Sequence, residues 1–305
     1  TYHTKFDIDI ANAIHAKLLQ EGAKKLLVDN ISAFDEVWTV SHGAGENLRS
    51  LGYQGDWRVM PNGVDFARGR VPEEDVRAVC RDIDLPEGVP VFLFVGRMMW
   101  YKGLRIILDA LKLLQAGGQD FRMVFIGSGA DAAEVQEYAK PLGGKCIFTG
   151  AISQRETLRA WYCRADLFLF PSSYDTNGLV VREAAACDLA AVLIDGSCAA
   201  EGVTDGVDGF LIDENAGSMA AKLQEICKNH YHTKTKDYPE DSLIHTTNVI
   251  LPNLTLDITA PKTSRKGTAL VSSPLWLSAI CSQRKNSWRN TKILFLRSNS
   301  VLLGG

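Results

Sequence analysis

The chain has 305 residues, of which 46% are hydrophobic and 23% are charged, so it is long enough for two ordinary globular domains. Its net charge of −3 is unevenly spread, because residues 228–305 hold 11 Lys and Arg against 4 Asp and Glu, which leaves 22 against 32 in the rest of the chain. An acidic main body argues against nucleic acid as a partner.

The first ninety residues carry short strand, helix and turn signals. Residues 36–41 are typical of a buried strand, residues 45–51 of a helix and residues 57–60 of a second strand. The turn sequence Pro61-Asn62-Gly63 ends this second strand. Residues 66–90 are charged and contain proline, which is the composition of a linker.

A regular alternation of strands and helices then begins. The predicted strands are apolar runs at residues 91–95, 121–126, 145–148, 167–170, 190–194 and 209–212. The helices between and after them have apolar positions at helical spacing, and they cover residues 104–114, a segment ending near 139, residues 155–163 and residues 219–226. This alternation predicts an α/β fold, with a Rossmann-like parallel sheet covered by helices on both faces. Ligands of such sheets bind beyond the carboxyl ends of the strands.

Residues 228–305 have no sustained hydrophobic period, and we expect an irregular, partly disordered tail there. The seven cysteines are odd in number and lack C-x-x-C spacing, which favours reduced thiols over a disulfide framework or zinc site. No apolar stretch approaches the ~20 residues that span a bilayer, and no signal peptide pattern is present. We therefore expect a cytoplasmic protein. Because the chain begins at Thr1 without methionine, we also expect it to be a fragment.

The segment 170–186 is the most informative part of the sequence. Pro171 stops a strand, a turn-rich stretch follows, and Gly178 precedes a run that favours a helix. Asp175 and Glu183 stand eight residues apart around this helix start. Carboxylates accept hydrogen bonds from sugar hydroxyls, and the first N–H groups of a helix suit a phosphate, so a nucleotide sugar fits the pattern. The alternative is that both acids simply favour the positive end of a helix.

Arg97 and Lys102 flank the turn that follows the strand at residues 91–95, where two cations could neutralise a diphosphate leaving group in the way a metal would. Their alternative reading is a pair of solvated surface charges. Gly127-Ser128-Gly129 follows the next strand but lacks the third glycine of a dinucleotide fingerprint. No Ser-His-Asp set, HExxH or Walker sequence is present.

Taken together, these motifs resemble the family 4 retaining glycosyltransferases of GT-B fold over residues 1–227. The resemblance depends on Pro61-Asn62-Gly63-Val64-Asp65, Gly96-Arg97 with Lys102-Gly103, Gly127-Ser128-Gly129, Phe170-Pro171-Ser172, and the pair Asp175 and Glu183. It implies two Rossmann-like domains with a cleft between them. Residues 1–65 would be part of the N-terminal acceptor-side domain, and residues 91–227 would be the C-terminal domain that binds the nucleotide sugar.

The resemblance also implies roles for individual residues. Catalytic roles would belong to His3, in the cleft against the donor sugar, and to Asp175, near that sugar's hydroxyls. Donor binding would involve Arg97 and Lys102 at the diphosphate, Glu183 at the ribose, the main chain of Ile152 at the base, and also Gly127, Gly129, Asn177, Gly178, Leu179 and Val180. No metal and no cofactor are expected.

The sequence departs from the family pattern in three ways. Asp175 is one methylene shorter than the usual glutamate, and residues 188–190 read Asp-Leu-Ala where the family usually has Gly-x-Pro. From the resemblance we also expect the chain to lack the N-terminal strands and the closing C-terminal helix of the family. We therefore expect weak donor binding and poor activity from this chain.

The resemblance implies transfer of a hexose, with retention of configuration, from a UDP- or GDP-sugar to a lipid or glycan hydroxyl in cell envelope biosynthesis. Peripheral contact with the inner face of a membrane is a further expectation. Two alternatives stay open: a non-catalytic module that binds nucleotide sugars, and a sugar-nucleotide epimerase of GT-B fold. A nicotinamide-dependent dehydrogenase is disfavoured, because the three-glycine loop is missing.

Overall fold

The computed structural model of the chain describes residues 1–231 and the two short segments 269–270 and 293–294. The described residues fall into two compact units. The first holds residues 1–61 together with the segments 269–270 and 293–294, and the second holds residues 62–231. Each unit has a hydrophobic core of its own.

The first unit contains, up to Pro61, the elements α1 (Phe6–Ala13), α2 (Lys17–Ser32), β1 (Trp38–Thr39), α3 (His42–Ser50) and β2 (Arg58–Val59). Strands β1 and β2 pair in parallel, and Tyr2 forms an isolated bridge with Thr39. Both strands are shorter than predicted. Helix α3 begins three residues before its predicted start, because the hydroxyl of Ser41 accepts a hydrogen bond from the Ala44 N–H at 3.0 Å and so caps the helix.

The second unit contains α4 (Glu73–Cys80), β3 (Val91–Val95), α5 (Leu104–Ala116), β4 (Arg122–Ile126), α6 (Ala132–Ala139), β5 (Cys146–Gly150), α7 (Arg155–Arg164), β6 (Leu167–Phe170), α8 (Leu179–Ala186), β7 (Ala191–Ile194), β8 (Phe210–Ile212) and α9 (Ala216–Tyr231). Its six strands form one parallel sheet in the order β5-β4-β3-β6-β7-β8. Every residue of β3, β6 and β7 is buried, which is why these strands are continuous apolar runs in the sequence. The predicted α/β fold with a Rossmann-like parallel sheet is confirmed.

The strand order has a switch point between β3 and β6. From β3 the chain first builds outward through β4 and β5, and it then returns to place β6 on the other side of β3. The loops that follow β3 and β6 are therefore neighbours at the carboxyl ends of the strands. Ligands of open parallel sheets bind in the crevice outside these strand ends, at the switch point.

The segment predicted as a linker, residues 66–90, contains a helix. Helix α4 has Glu73, Glu74 and Asp75 in its first turn, where acidic side chains are favourable. Its Val76 is buried in the core of the second unit, as is Phe66. The high proportion of charged residues in this segment suggested a linker, although one face of its helix is apolar. The interpretation as a plain linker was therefore wrong.

Helix α9 runs beyond both of its predicted ends, and its last turn takes in residues 228–231, which were predicted to be irregular. Most of the predicted tail lies outside the described residues. In the part of the tail that the structure describes, strands β9 (Ala269–Leu270) and β10 (Ile293–Leu294) pair in parallel. Among the described residues, no helix is both long enough and apolar enough to cross a membrane.

Helix α8 ends in a Schellman motif, with Asp188 at the position that usually belongs to glycine. The Leu189 N–H donates to the Ala184 carbonyl at 3.0 Å, and the Asp188 N–H donates to the Ala185 carbonyl at 3.1 Å. Asp188 has a φ of +57°, in the left-handed region. The turn at residues 188–190 therefore forms without the family's usual Gly-x-Pro sequence. Its cost is backbone strain at Asp188, because a Cβ disfavours the left-handed conformation.

We expect Asp188→Gly to raise the free energy of unfolding by about 0.5–1 kcal/mol, because glycine adopts the left-handed conformation without steric cost. Thermal melting measures the gain as a shift of about 1–4 °C. Asp188→Ala is the control, since alanine removes the carboxylate but keeps the Cβ. Equal melting temperatures for the Gly and Ala variants would contradict this account of the turn.

Candidate functional site

The candidate site lies at the switch point, beyond the carboxyl ends of β3 and β6. The loop after β3 carries Arg97 and Lys102, and the loop after β6 carries Asp175. Arg97 is exposed, and its guanidinium carbon lies 5.7 Å from the centre of the Tyr101 ring. Lys102 is only 9% exposed. The two predicted diphosphate ligands therefore differ: one extends toward solvent and the other is enclosed.

Lys102 and Asp175 form an ion pair that joins the two loops. The Lys102 Nζ donates to Asp175 Oδ1 at 2.7 Å and to Oδ2 at 2.8 Å. The Ser172 hydroxyl, which is fully buried, donates to the same Oδ2 at 2.7 Å. The Tyr101 and Tyr174 rings pack 4.5 Å apart and add a second link between the loops. One cation and one anion are thus fixed side by side at the switch point.

Gly103 allows the two loops to come this close. It has a φ of +76°, and a Cβ at this position would lie 1.9 Å from the Pro171 carbonyl oxygen. No side chain fits there, because backbone atoms occupy the space.

Gly127 and Gly129 play a similar part between the loops after β3 and β4. A Cβ on Gly127 would lie 1.8 Å from the Gly96 carbonyl oxygen, and one on Gly129 would lie 2.3 Å from the Met98 carbonyl oxygen. The Asp131 carboxylate accepts a hydrogen bond from the Trp100 backbone N–H at 2.9 Å. The structure thus gives these glycines a packing role, and their predicted contact with a donor stays a prediction.

The start of α8 supplies main-chain donors at the edge of the site. Gly178 is the N-cap, with a φ of +61°, and Asn177 before it is 5% exposed. Leu179 and Val180 are the first two residues of the helix, and Leu179 is 45% exposed. The first N–H groups of a helix have no acceptor within it, so this end can receive an anion.

Glu183 lies one turn into α8 and is largely buried. Its Oε2 accepts a hydrogen bond from the Tyr162 hydroxyl at 3.0 Å, and the Tyr162 side chain is fully buried. Burial raises the pKa of the Glu183 carboxyl above its usual value of 4.5, although the Tyr162 bond opposes the shift. A carboxylate that is costly to bury, and that stands one turn from a candidate phosphate site, is typical of a functional position.

We expect Glu183→Gln to stabilise the protein at pH 7, because the amide keeps an acceptor for Tyr162 and removes a buried charge. A raised native pKa means that the wild-type chain loses stability as the pH rises from 4.5 through that pKa. The variant lacks this loss. Thermal melts of the two proteins should therefore coincide below about pH 4, and the variant should melt at the higher temperature at pH 7. If the two proteins melt at the same temperature at both pH values, Glu183 does not carry the destabilising buried charge described here.

Ile152 lies in the loop after β5, is half-buried and packs against the core of the second unit. The Gly127 N–H donates to the Gly150 carbonyl at 2.8 Å, which connects this loop to the one after β4. Ile152 is thus at the same edge of the sheet as the other predicted donor contacts.

His3 belongs to the first unit and is half-buried there. Burial lowers the pKa of His3 below its usual value of 6.5. The imidazole is therefore neutral at pH 7, with one ring nitrogen that donates a hydrogen bond and one that accepts. Its predicted catalytic role stays a prediction.

Sequence reasoning did not identify three residues that shape the site, namely Ser172, Tyr101 and Tyr174. Ser172 was noted only as part of a motif, and its buried hydroxyl gave no separate signal. The two tyrosines come from loops that are far apart in the sequence, so their contact depends on the strand order. Among the described residues, no group of three or more His, Cys, Asp or Glu side chains could hold a metal ion.

The site thus combines an exposed guanidinium, an enclosed lysine–aspartate pair and a helix N-terminus at one edge of a parallel sheet. Such a set can bind a di-anionic phosphate group and, beside it, a group with several hydroxyls.

Comparison with known proteins agrees with this geometry. The family model "Glycosyl transferases group 1" matches residues 77–240. A D-inositol 3-phosphate glycosyltransferase of Xylanimonas cellulosilytica is 29% identical over 164 residues, which are 51% of this chain and 39% of that protein. A GDP-mannose-dependent phosphatidylinositol monomannoside mannosyltransferase of Mycolicibacterium smegmatis is 31% identical, over 50% of this chain and 42% of its own length. The chain therefore spans about two fifths of these curated relatives.

Solved structures show the same fold. HepE of Anabaena, in a complex with UDP and glucose, has a TM-score of 0.60 at 20% identity and covers 72% of this chain and 60% of its own. Sucrose-phosphate synthase of Thermosynechococcus elongatus has a TM-score of 0.58 at 24% identity. The match covers 72% of this chain and 56% of the synthase chain. The fold of a GT-B glycosyltransferase is thereby confirmed. Since the family model matches more than half of its residues, the chain belongs to the group 1 glycosyl transferases.

Proposed function

We propose that the second unit binds a nucleotide diphosphate sugar at the switch point, as the donor half of a retaining hexosyltransferase. The observation that carries the proposal is the Lys102–Asp175 pair, held between the two loops of the crevice and next to the start of α8. A cation there suits the diphosphate, and a carboxylate suits the hydroxyls of the sugar. The solved complex of HepE with UDP-glucose, which has a related fold, supports the choice of ligand class.

The proposed reaction needs little beyond charge and position. The bond between the anomeric carbon and the diphosphate oxygen breaks, and Arg97 and Lys102 stabilise the negative charge that develops on the leaving group. The acceptor hydroxyl attacks the anomeric carbon from the same face, and its proton passes to the departing phosphate oxygen. The products are a glycoside of unchanged anomeric configuration and a nucleoside diphosphate. Asp175 would accept hydrogen bonds from the hydroxyls of the transferred sugar.

In this proposal the two cations do the work that a metal does in other transferases, so activity should resist chelators. The acceptor is proposed to be a lipid or a glycan, as the name of the mycobacterial mannosyltransferase indicates for that protein. The base of the donor, UDP or GDP, is left to experiment.

The test is an assay of sugar release and transfer from UDP-glucose and GDP-mannose, with and without EDTA. We expect one of the two donors to yield free sugar or glycoside of retained configuration by NMR, at equal rates with and without EDTA. An inverted product, or loss of activity in EDTA, would contradict the mechanism. Binding of nucleotide without any release of sugar would favour the second candidate, a donor-binding module.

A further inference from the structure

The positive charge of Lys102 is already compensated within the protein. Both carboxylate oxygens of Asp175 accept hydrogen bonds from the Lys102 ammonium, and the two side chains are only 11% and 21% exposed. The attraction between these two charges is stronger than in an exposed pair, because little water screens it.

The aspartate is also held in place. The Ser172 hydroxyl donates to Asp175 Oδ2, and Ser172 follows Pro171, whose carbonyl fills the space next to Gly103. The ammonium lies 5.4 Å from the centre of the Tyr101 ring and 5.9 Å from that of the Phe170 ring. Lys102 is therefore enclosed on several sides, and an arriving phosphate has to share or displace its carboxylate partner.

We propose that Asp175 is an internal anion that competes with the nucleotide diphosphate for Lys102 and thereby lowers the affinity of the site for nucleotide. This inference rests on the proposed function. While the donor is bound, the lysine faces the diphosphate. When the nucleoside diphosphate leaves, the ion pair between Asp175 and Lys102 forms again, and this favours release of the product. Asp175 thus sets how long the product stays bound, in addition to its contact with the sugar.

If Asp175 competes with the diphosphate, removal of the Asp175 carboxylate should increase the affinity of the site for nucleotide. Asp175→Asn keeps the shape of the side chain and one oxygen for the ammonium but loses the negative charge. We expect calorimetric titration to show that the variant binds UDP or GDP on the order of tenfold more tightly than the wild-type chain, because one repulsive charge near the phosphates is gone. Asp175→Ala, which removes the carboxylate without placing an amide there, should change the affinity in the same direction.

Asp109→Asn is the matched control. Asp109 also accepts hydrogen bonds from a lysine, Lys112 at 3.2 Å, and from a hydroxyl, that of Tyr138 at 2.7 Å. It lies on α5 rather than in the loops after β3 and β6. The same change of charge at this position should leave the nucleotide affinity unchanged within about twofold.

The outcomes separate this inference from the proposed function. If the folded wild-type chain and both Asp175 variants bind neither nucleotide, the proposed function itself is wrong. If the wild-type chain binds nucleotide and the Asp175 variants bind it equally or more weakly, the competition is refuted while the donor site stands. If the Asp109 variant also binds nucleotide more tightly, the gain in affinity comes from the change in net charge alone, and the competition is again refuted.

Discussion

Gly103→Ala is expected to destabilise the second unit by about 3 kcal/mol or more and to abolish nucleotide binding. The new Cβ would lie 1.9 Å from the Pro171 carbonyl oxygen, and neither partner is a flexible side chain that could move aside. The loops that carry Lys102 and Asp175 would have to separate, which breaks the ion pair between them. Thermal melting and calorimetric titration with UDP and GDP measure the two effects.

Gly88→Ala is the control for backbone strain. Gly88 has the same φ of +76°, but a Cβ there would meet nothing within 4 Å. We expect it to cost only about 1 kcal/mol and to leave nucleotide affinity intact, because the strain is the same and the collision is absent. Equal effects of the two substitutions would show that the loops do not depend on their close approach at Gly103.

Lys102→Met is expected to lower the affinity for a nucleoside diphosphate by about thirtyfold, or roughly 2 kcal/mol. The variant keeps most of the aliphatic stem but removes the ammonium group, and it leaves the Asp175 carboxylate without its ion-pair partner beside the phosphates. Loss of attraction and new repulsion act in the same direction. Titration with UDP and GDP measures the change.

Lys112→Met is the control, because Lys112 also pairs with an aspartate, Asp109, and lies against an aromatic ring, that of Tyr138. Its removal should leave nucleotide affinity within about twofold of the wild-type value. If both lysine variants bind nucleotide like the wild-type chain, the diphosphate does not bind at Lys102.

The strands of the second unit could be predicted well because they are buried on both faces. Val91–Val95 and Leu167–Phe170 were found with the bounds expected from the sequence, since each is a continuous apolar run that ends at glycine or proline. Helix α4 was missed for the opposite reason. Its acidic first turn dominates the composition, and only Val76 is fully buried.

The arrangement of the site could be predicted only in part. Motifs at strand ends pointed to one edge of the sheet, and the strand order confirms that the loops after β3 and β6 flank the switch point. The pairing of Lys102 with Asp175, which are 73 residues apart, depends on that order and on the close approach at Gly103. Local sequence patterns do not encode such a contact. The individual roles of Arg97, Ile152 and Glu183 in donor binding stay predictions.

The most direct measurement is a calorimetric titration of the wild-type chain with UDP, GDP and the corresponding monophosphates. If the crevice between β3 and β6 holds the diphosphate of a sugar nucleotide, at least one diphosphate binds, and its monophosphate binds at least tenfold more weakly because the group nearest Lys102 is missing. A folded chain that binds neither diphosphate, or that does not distinguish a diphosphate from its monophosphate, would contradict the account.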